Sequence, residues 1–364
     1  MHHLKGGLKI LMYSRYIKYF HQRCNMKVLM LGDLHFGVKQ DDKWMQNIQR
    51  LAIKEAIELS NQNGIKKWIQ TGDWFDVRKA ITHKTMEFTR EIATMIGDAG
   101  IEVDVIVGNH DMSLKQKIHP NACTELLSQF SHFKIYDKIT TVDYDGVKID
   151  LCPWICDENK EEIHEHMKTT QALYCVGHFE LSGFYFYKGL KSHGDDPSFL
   201  CKYKEVWSGH FHTISENRNI KFLGTPYSIT SGDENDPRGY WIFDTSTHEM
   251  NFHQNSTMWH RRIDYPTSIN VETYKNLSVR LFVEKFDNNF AKFETMLEEV
   301  VHELKVINKV NTSVEIDDSV HENEEVKTLV ELMDEYIECI PEITKSDSDA
   351  TKIMVKNLYM ECSK

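Results

Sequence analysis

The tetrapeptide Gly108–Asp111 places an amide, an imidazole and a carboxylate in consecutive positions. It follows Val103–Val107, a mostly apolar run whose β-branched residues and closing glycine predict a buried strand. Because open α/β sheets bind ligands at the carboxyl ends of their strands, these side chains stand where a ligand site is common. Asn and Asp also form turns after strands, so the tetrapeptide alone leaves a purely structural role open.

Four further predicted strands end in residues of the same kinds. Asp33 and His35 follow the strand Lys27–Leu31, and side chains two apart on an extended segment point the same way, so this pair can chelate one ion. The other three ends carry Gly72-Asp73-Trp74-Phe75-Asp76, Gly177-His178 and Gly209-His210-Phe211-His212. A single strand-end histidine has many ordinary roles. Five such ends together supply carboxylate, imidazole and amide donors, a set suited to divalent transition metals such as Mn, Fe or Zn.

Helical patterns lie between the first predicted strands and indicate how the ends of those strands are arranged. Apolar residues recur at helical intervals over Ile48–Leu59 and over about Thr85–Ala99, and the strand Lys67–Gln70 lies between the two patterns. This alternation predicts a parallel sheet whose strand ends share one edge. The later predicted strands are Lys134–Tyr136, Thr140–Val142, Lys148–Leu151, runs beginning at Tyr174 and Glu205, Ile220–Leu223 and Tyr240–Phe243.

Size and charge restrict the class of protein. A chain of 364 residues can bury one large core and a smaller unit, which predicts two domains and an appended tail. No run approaches the roughly 18 apolar residues of a membrane span, and eight scattered cysteines favour a reducing cytosol. The net charge of −12 divides into +5 over residues 1–25, −9 over 311–364 and −8 in between. A nucleic-acid role would therefore need local patches, metal ions or a partner's surface.

The five motifs resemble those of the calcineurin-like metallophosphoesterases. Gly72-Asp73-Trp74-Phe75-Asp76 and Ser208-Gly209-His210-Phe211-His212 are similar to the nuclease branch that contains bacterial SbcD, and most of all to its T-even phage relatives, the recombination endonuclease subunits. The resemblance covers essentially residues 26–364, including Arg78–Lys84 and Gly232–Gly239. It implies an α/β fold, a metallophosphoesterase β-sandwich flanked by helices, with a small α+β capping domain and C-terminal helices.

The resemblance also implies two metal sites that share one carboxylate. The first ion would be held by Asp33, His35, Asp73 and His212, and the second by Asp73, Asn109, His178 and His210. Two cations about 3.5–4 Å apart can acidify a bridging water molecule and clamp a phosphodiester for in-line attack. Two divalent ions are therefore expected, manganese first and magnesium as the alternative.

His110 is then left for catalysis. The resemblance implies that it stabilises charge on the phosphorus or protonates the leaving 3′ oxygen, and that the carboxylate of Asp76 orients it. Some archaeal nuclease relatives carry histidine at the position of Asp76. This departure leaves the balance between exonuclease and endonuclease activity open.

The chain divides into five predicted segments. Residues 1–25 are basic and acid-poor but lack the apolar core of a secretory signal, and we expect a non-homologous or disordered extension with Met26 as the native start. The others are a nuclease domain (26–265), a capping domain that positions DNA (266–310), an acidic linker (311–325) and a helical segment (326–364). Apolar residues on one stripe of that segment predict a docking element for an SbcC-type ABC ATPase. Packing of the segment onto the capping domain, and a purely structural lid for 266–310, are the alternatives.

Three functions remain open at this stage. The first is the nuclease subunit of an SbcCD-type complex, a homodimer within a heterotetramer in the host cytoplasm, degrading duplex DNA 3′ to 5′ and nicking single strands. The second is another calcineurin-like phosphodiesterase or phosphatase, and the third is an inactive scaffold. The complete donor set disfavours the scaffold, and the tether with its terminal helices favours the nuclease.

Overall fold

A computed structural model describes residues 26–187 and 190–309, together with positions 337, 348, 351, 352, 354 and 355. Contacts divide the chain into two units, residues 1–310 and 311–364. The six described positions of the second unit are helical. The predicted extension 1–25, the linker 311–325 and the rest of the predicted docking helices lie outside the described residues. Within the described part, no helix is long and apolar enough to cross a membrane.

The first sheet contains the three strands that lead to the motifs near the start of the chain. Its strands are Lys27–Leu31 (β1), Lys67–Gln70 (β2), Glu102–Ile106 (β3), Phe133–Tyr136 (β6), Gly239–Asp244 (β15) and Glu249–Gln254 (β16). The order is β16-β15-β1-β2-β3-β6, in which β1, β2, β3 and β6 are mutually parallel and the other two are antiparallel to their neighbours. The carboxyl ends of β1, β2 and β3 therefore lie side by side.

The second sheet carries the two histidine motifs. Its strands are Thr140–Tyr144 (β7), Val147–Cys152 (β8), Tyr174–His178 (β9), Glu205–Gly209 (β12), Ser215–Asn217 (β13) and Ile220–Phe222 (β14), in the order β13-β14-β12-β9-β8-β7. The four central strands are parallel. Two short hairpins complete this part of the chain, Met112–Leu114 (β4) with Lys117–Asn121 (β5), and Tyr185–Tyr187 (β10) with Leu190–Lys191 (β11).

The two sheets pack face to face and helices cover their outer faces. Side chains from both sheets, such as Met30, Ile106, Val176 and Trp207, form one buried cluster between them. Each apolar side chain buried in this way contributes about 1.5–3 kcal/mol to folding. The helices are Lys43–Asn63 (α1), His83–Asp98 (α2), Ala122–Leu127 (α3), Lys160–Thr169 (α4) and Phe290–Glu298 (α5), with single turns at Val38–Asp41, Pro197–Leu200, Ser231–Asp233 and Val271–Tyr274.

Local sequence explains where the two long helices begin and end. The side chain of Asp42 accepts a hydrogen bond from the main chain of Met45 and caps α1, which ends at Gly64 in the left-handed conformation. Thr82 caps α2 in the same way through the main chain of Thr85. The apolar faces of both helices pack on the outer face of the first sheet.

A third sheet follows the sandwich and has its own core. Its strands are His260–Tyr265 (β17), Ser278–Val283 (β18) and Glu303–Asn308 (β19), all parallel, with α5 crossing between β18 and β19. Helix α5 ends at Glu298, and β19 begins at Glu303. The apolar periodicity continues past the helix because Val300, Val301 and Leu304 still pack on the core of this sheet.

Candidate active site

The predicted site residues come together from five strand ends. Asp33 and His35 follow β1, Asp73 and Asp76 follow β2, Asn109 and His110 follow β3, His178 ends β9, and His210 and His212 follow β12. Three groups of these residues have possible metal-ligating atoms within 4.8 Å of one another: Asp33, His35 and His212; Asp73, His178 and His210; and His35, Asp76 and His110. Each of the first two groups contains three of the four residues of one ligand set that the family resemblance implied.

The first group is a tight cluster of nitrogen and oxygen atoms. The Nε2 atoms of His35 and His212 are 3.0 Å apart. The same atoms lie 3.7 Å and 3.9 Å from Oδ2 of Asp33. Ligands about 2.1 Å from an ion, at right or tetrahedral angles, are about 3.0–3.4 Å apart. The distance between the two histidine nitrogens lies in this range, and the two distances to Asp33 are longer than it by 0.3 and 0.5 Å.

The second group adds an amide oxygen. Nε2 of His178 lies 2.9 Å from Oδ1 of Asn109 and 3.3 Å from Oδ2 of Asp73. The same Oδ2 of Asp73 is 3.9 Å from Nε2 of His35, which belongs to the first group. One carboxylate oxygen therefore faces both groups, which is the position that a bridging ligand requires.

The outer nitrogens of two histidines lie close to oxygen atoms, an arrangement that is common in metal sites. Nδ1 of His178 lies 2.8 Å from the carbonyl oxygen of Thr71, which can only accept, so this nitrogen carries the proton and Nε2 is left as the ligand. Nδ1 of His35 lies 3.3 Å from Oδ1 of Asp76. Both rings thus present Nε2 to the cluster, and the donor set fits divalent metal ions.

The contact between Asp76 and His110 differs from the sequence expectation. We predicted that the carboxylate of Asp76 orients His110, but Nδ1 of His110 lies 2.6 Å from the main-chain carbonyl oxygen of Asp76. The carboxylate instead faces His35. Because a carbonyl only accepts, Nδ1 of His110 carries a proton and Nε2 is the nitrogen that can exchange one with a substrate.

Asp111 holds two of the strand ends together. Its carboxylate accepts hydrogen bonds from the main-chain N–H groups of Asp73, Phe75 and Gly108, at 2.8–3.0 Å. In return, the main-chain N–H of His110 donates to Oδ1 of Asp73 at 2.7 Å. Asp111 therefore joins the ends of β2 and β3 through its hydrogen bonds.

Close packing and backbone strain are concentrated at these strand ends. A Cβ atom on Gly108 would lie 2.3 Å from Oδ1 of Asp73, so glycine is required there. His35, Asp73 and His210 all have positive φ angles, of 48°, 54° and 85°. Such angles are uncommon outside glycine and often accompany functional sites.

Electrostatics keep the carboxylates ionised. Burial by itself raises the pKa values of Asp33 and Asp73, but the charge of His178 and the contacts with His35 lower both below the usual range. Ionised carboxylates are the form that binds cations.

The histidines divide into two pairs. Burial lowers the pKa of His35 and His178, but the neighbouring aspartates outweigh it and raise the values to about 10 and about 9. Burial and the nearby charges of His178 and His35 lower the pKa of His210 to about 3 and of His212 to about 4. His210 and His212 are therefore neutral. The aspartates favour the protonated forms of His35 and His178, and a bound divalent ion would replace those protons.

Sequence reasoning missed two residues that support the site. Gln49 lies in the buried face of α1 and donates from Nε2 to the carbonyl oxygens of Leu34 and His35. Trp154 follows β8, and its ring centroid is 5.1 Å from that of His210 and 5.9 Å from that of His178. The available signals were a glutamine within an apolar helical stripe and a tryptophan three residues after the predicted strand Lys148–Leu151.

Comparison with known proteins identifies the family. Residues 26–213 match the model of the calcineurin-like phosphoesterases. The chain is 58% identical over 340 residues, 93% of its length, to the whole of exonuclease subunit 1 of Enterobacteria phage T4. Two solved structures are also similar: a phosphatase from Mycoplasma pneumoniae (12% identity, 64% of this chain and 92% of that one, TM-score 0.35) and the nuclease MPE of Pseudomonas putida (14%, 62% and 87%, TM-score 0.30). The five motifs and the family match agree, and the chain belongs to the calcineurin-like phosphoesterase family.

Proposed function

We propose that the chain is the nuclease subunit of an SbcCD-type DNA recombination and repair complex, and that it hydrolyses DNA phosphodiesters with two divalent metal ions. The observation that carries this proposal is the position of Oδ2 of Asp73, 3.3 Å from His178 and 3.9 Å from His35, between two donor groups. The 58% identity to a phage exonuclease subunit supports DNA as the substrate.

The contacts support the ligands that the family resemblance implies. Asp33, His35, Asp73 and His212 would hold one ion, and Asp73, Asn109, His178 and His210 the other, with manganese as the expected metal. When bound, the two ions would activate water as the nucleophile and neutralise charge on the phosphodiester. We propose that the chain then acts as a 3′-to-5′ exonuclease on duplex DNA and as an endonuclease on single strands.

His110 is proposed to protonate the leaving oxygen. Its Nδ1 donates to the main chain of Asp76 and its main-chain N–H donates to Asp73, so the ring is held from two strand ends. It is half-buried and belongs to neither ligand set. Proton transfer by a positioned side chain typically contributes about 10²–10⁴-fold to a rate.

The remaining segments are proposed to bind DNA and a partner. Residues 266–310 would position duplex DNA beside the site. Residues 326–364, tethered by 311–325, would dock on an SbcC-type ABC ATPase, with two copies of this chain in a heterotetramer in the host cytoplasm. The name of the phage T4 relative, a numbered subunit, supports a complex.

The test is cleavage of end-labelled duplex DNA with Mn²⁺, with Mg²⁺ and with EDTA. We expect metal-dependent cleavage, and a loss of about 10²-fold or more in kcat for His110→Ala with unchanged Mn²⁺ affinity, because the change removes a proton donor and no ligand. His253→Ala, a half-buried histidine on the edge strand β16, is the matched control.

Two results would contradict the proposal. Undiminished Mn²⁺-dependent cleavage by His110→Ala would remove the role of His110. Hydrolysis of p-nitrophenyl phosphate without cleavage of any DNA substrate would favour the phosphatase alternative over the nuclease.

A further inference from the structure

A small pocket opens beside the second donor group. Its volume is about 250 Å³, and His178, Trp154, Phe179, Glu180 and Phe199 are among the residues that line it. Ligand pockets in proteins usually measure about 300–1,000 Å³. This pocket is smaller, so it suits a small part of a substrate, such as a single base with its sugar. No residue of the pocket other than His178 belongs to the proposed ligand or catalytic sets.

Trp154 forms the wall nearest the donor groups. Its main-chain N–H donates to the carbonyl oxygen of Val107 at 2.8 Å, directly before Gly108–Asp111, so its position is fixed relative to the catalytic loop. Its ring packs beside the rings of His178 and His210 and is half-buried. A rigid aromatic surface therefore extends from the donor groups into the pocket.

A second part of the lining is also fixed by the fold. Phe199 lies on the turn Pro197–Leu200 and its ring packs on Phe179, with centroids 6.2 Å apart. The segment before this turn is joined to the end of β9, because the main-chain N–H of Asp195 donates to the carbonyl oxygen of Glu180 at 2.9 Å. The pocket is thus part of the fold and needs no rearrangement to form.

The chemistry of the walls favours a flat, uncharged ring. Trp154 and Phe199 supply aromatic rings, and Glu180 and Asp195 supply exposed carboxylates. The carboxylate of Glu180 lies 3.9 Å from Nε2 of His210 and that of Asp195 lies 3.4 Å from Nζ of Lys160. Carboxylates can accept hydrogen bonds from the exocyclic amino groups of bases. Because the pocket adjoins the donor groups, a group attached to the phosphate that reacts there can reach it.

We propose that this pocket takes the base of a nucleotide that flanks the scissile phosphate, and that Trp154 is the surface on which this base stacks. The inference rests on the proposed nuclease function and deepens it. Stacking on an aromatic side chain tolerates every base, since each has a π face, so it suits an enzyme that degrades DNA of any sequence. Trp154 is accordingly a positioning residue.

The test compares substrates with and without the base. Duplexes are prepared with an abasic tetrahydrofuran nucleotide either on the 3′ side or on the 5′ side of the scissile phosphate, and kcat/KM is measured with Mn²⁺ for wild type, Trp154→Ala, Trp154→Phe and Phe199→Ala. We expect Trp154→Ala to lose about tenfold or more on intact DNA and Trp154→Phe to lose less. On one of the two abasic duplexes, the one that lacks the base proposed to enter the pocket, the kcat/KM values of Trp154→Ala and wild type should be equal within about twofold.

The controls separate stacking from a structural effect on the histidines. Phe252→Ala, another half-buried aromatic residue, lies on the edge strand β16 and should leave kcat/KM unchanged. Mn²⁺ affinity is measured for each variant, because Trp154 also touches His178 and His210. Loss of Mn²⁺ affinity would lower cleavage of intact and abasic DNA alike, whereas loss of stacking spares the abasic substrate.

The outcomes are distinct. If Trp154→Ala lowers kcat/KM by the same factor on intact DNA and on both abasic duplexes, the base does not occupy this pocket and the inference is wrong, while the nuclease function stands. If wild type cleaves no DNA at all, the proposed function itself fails.

Discussion

Asp76 contributes two different groups to the site. Its main-chain carbonyl oxygen accepts from Nδ1 of His110, and its carboxylate lies 3.3 Å from Nδ1 of His35. A substitution of the side chain therefore affects His35, a proposed ligand, and leaves the hydrogen bond of His110 in place. This separation was invisible in the sequence, where Asp76 was assigned to His110 alone.

We predict that Asp76→Ala weakens Mn²⁺ binding but retains most of kcat at saturating metal. Removal of a group that orients a metal ligand typically costs about 10–100-fold in affinity. Isothermal titration with Mn²⁺ and cleavage at saturating Mn²⁺ measure the two effects. Asp137→Ala is the matched control, because Asp137 is equally exposed, at 29%, and contacts His119. A kcat as low as that of His110→Ala, with unchanged affinity, would refute this division of roles.

At the scale of elements, the third sheet is fastened to the sandwich through α1. The indole N–H of Trp44 donates to the carbonyl oxygen of Asn276 at 2.9 Å, and its ring stacks on His302 with centroids 4.4 Å apart. Arg280 of β18 forms an ion pair with Glu234 of the loop between the sheets. A small sheet with a core of its own is thus held by a few specific contacts.

His260, the first residue of β17, makes this junction sensitive to pH. Its side chain is buried, Nδ1 lies 2.8 Å from the hydroxyl of Ser228, and burial together with the charge of Lys39 lowers its pKa to about 4. The other charged groups that act on it are Asp233, Glu303 and Arg238. The folded protein therefore resists protonation of a group that takes up a proton near pH 6.5 when unfolded.

We predict that the free energy of unfolding falls as the pH is lowered from about 6.5 to about 4, because the unfolded chain binds the proton first. The contribution of His260 is on the order of 3 kcal/mol. Urea denaturation across this range should show a flatter pH dependence for His260→Gln than for wild type. His302→Gln, an exposed histidine that also contacts Trp44, is the control, and equal slopes for the two variants would contradict the assignment.

At the scale of the whole molecule, charge and apolar surface are distributed unevenly. The net charge is −12, and residues 311–364 alone carry −9. An acidic chain cannot rely on neutralising phosphates, so a nuclease of this composition needs the metal ions of its site and the surface of a partner. The predicted apolar stripe over Val326–Ile340 is proposed to bind that partner.

We predict that deletion of residues 322–364 abolishes association with the ATPase partner and leaves basal nuclease activity in place. A pull-down of the partner by the full chain and by the deletion variant measures the first effect, and duplex cleavage measures the second. The double substitution Leu329→Asp, Met333→Asp should also abolish association with the partner. Glu331→Ala, outside the predicted apolar stripe, is the control. Association retained by the deletion variant would refute the docking role.

Much of the sandwich could be predicted because its strands are short, buried and locally encoded. The predicted strands Lys27–Leu31 and Lys67–Gln70 match β1 and β2 residue for residue. The hairpin Met112–Asn121 was missed, because its side chains alternate weakly and most are exposed. Strand β17 was missed for a similar reason, since its polar residues Arg261, Arg262 and Asp264 mask its three buried positions.

The sequence by itself marked the strand ends that carry candidate site residues, because such ends have local signals. The family resemblance, and not the pattern of any strand, grouped Asp33, Asp73, Asn109, His178 and His210 into proposed ligand sets. The tertiary structure decided which atoms meet: the carboxylate of Asp76 faces His35, its main chain holds His110, and Trp154 stands beside the histidines. Such contacts depend on how two sheets pack and how strained turns direct each group, and no pattern within one strand encodes them.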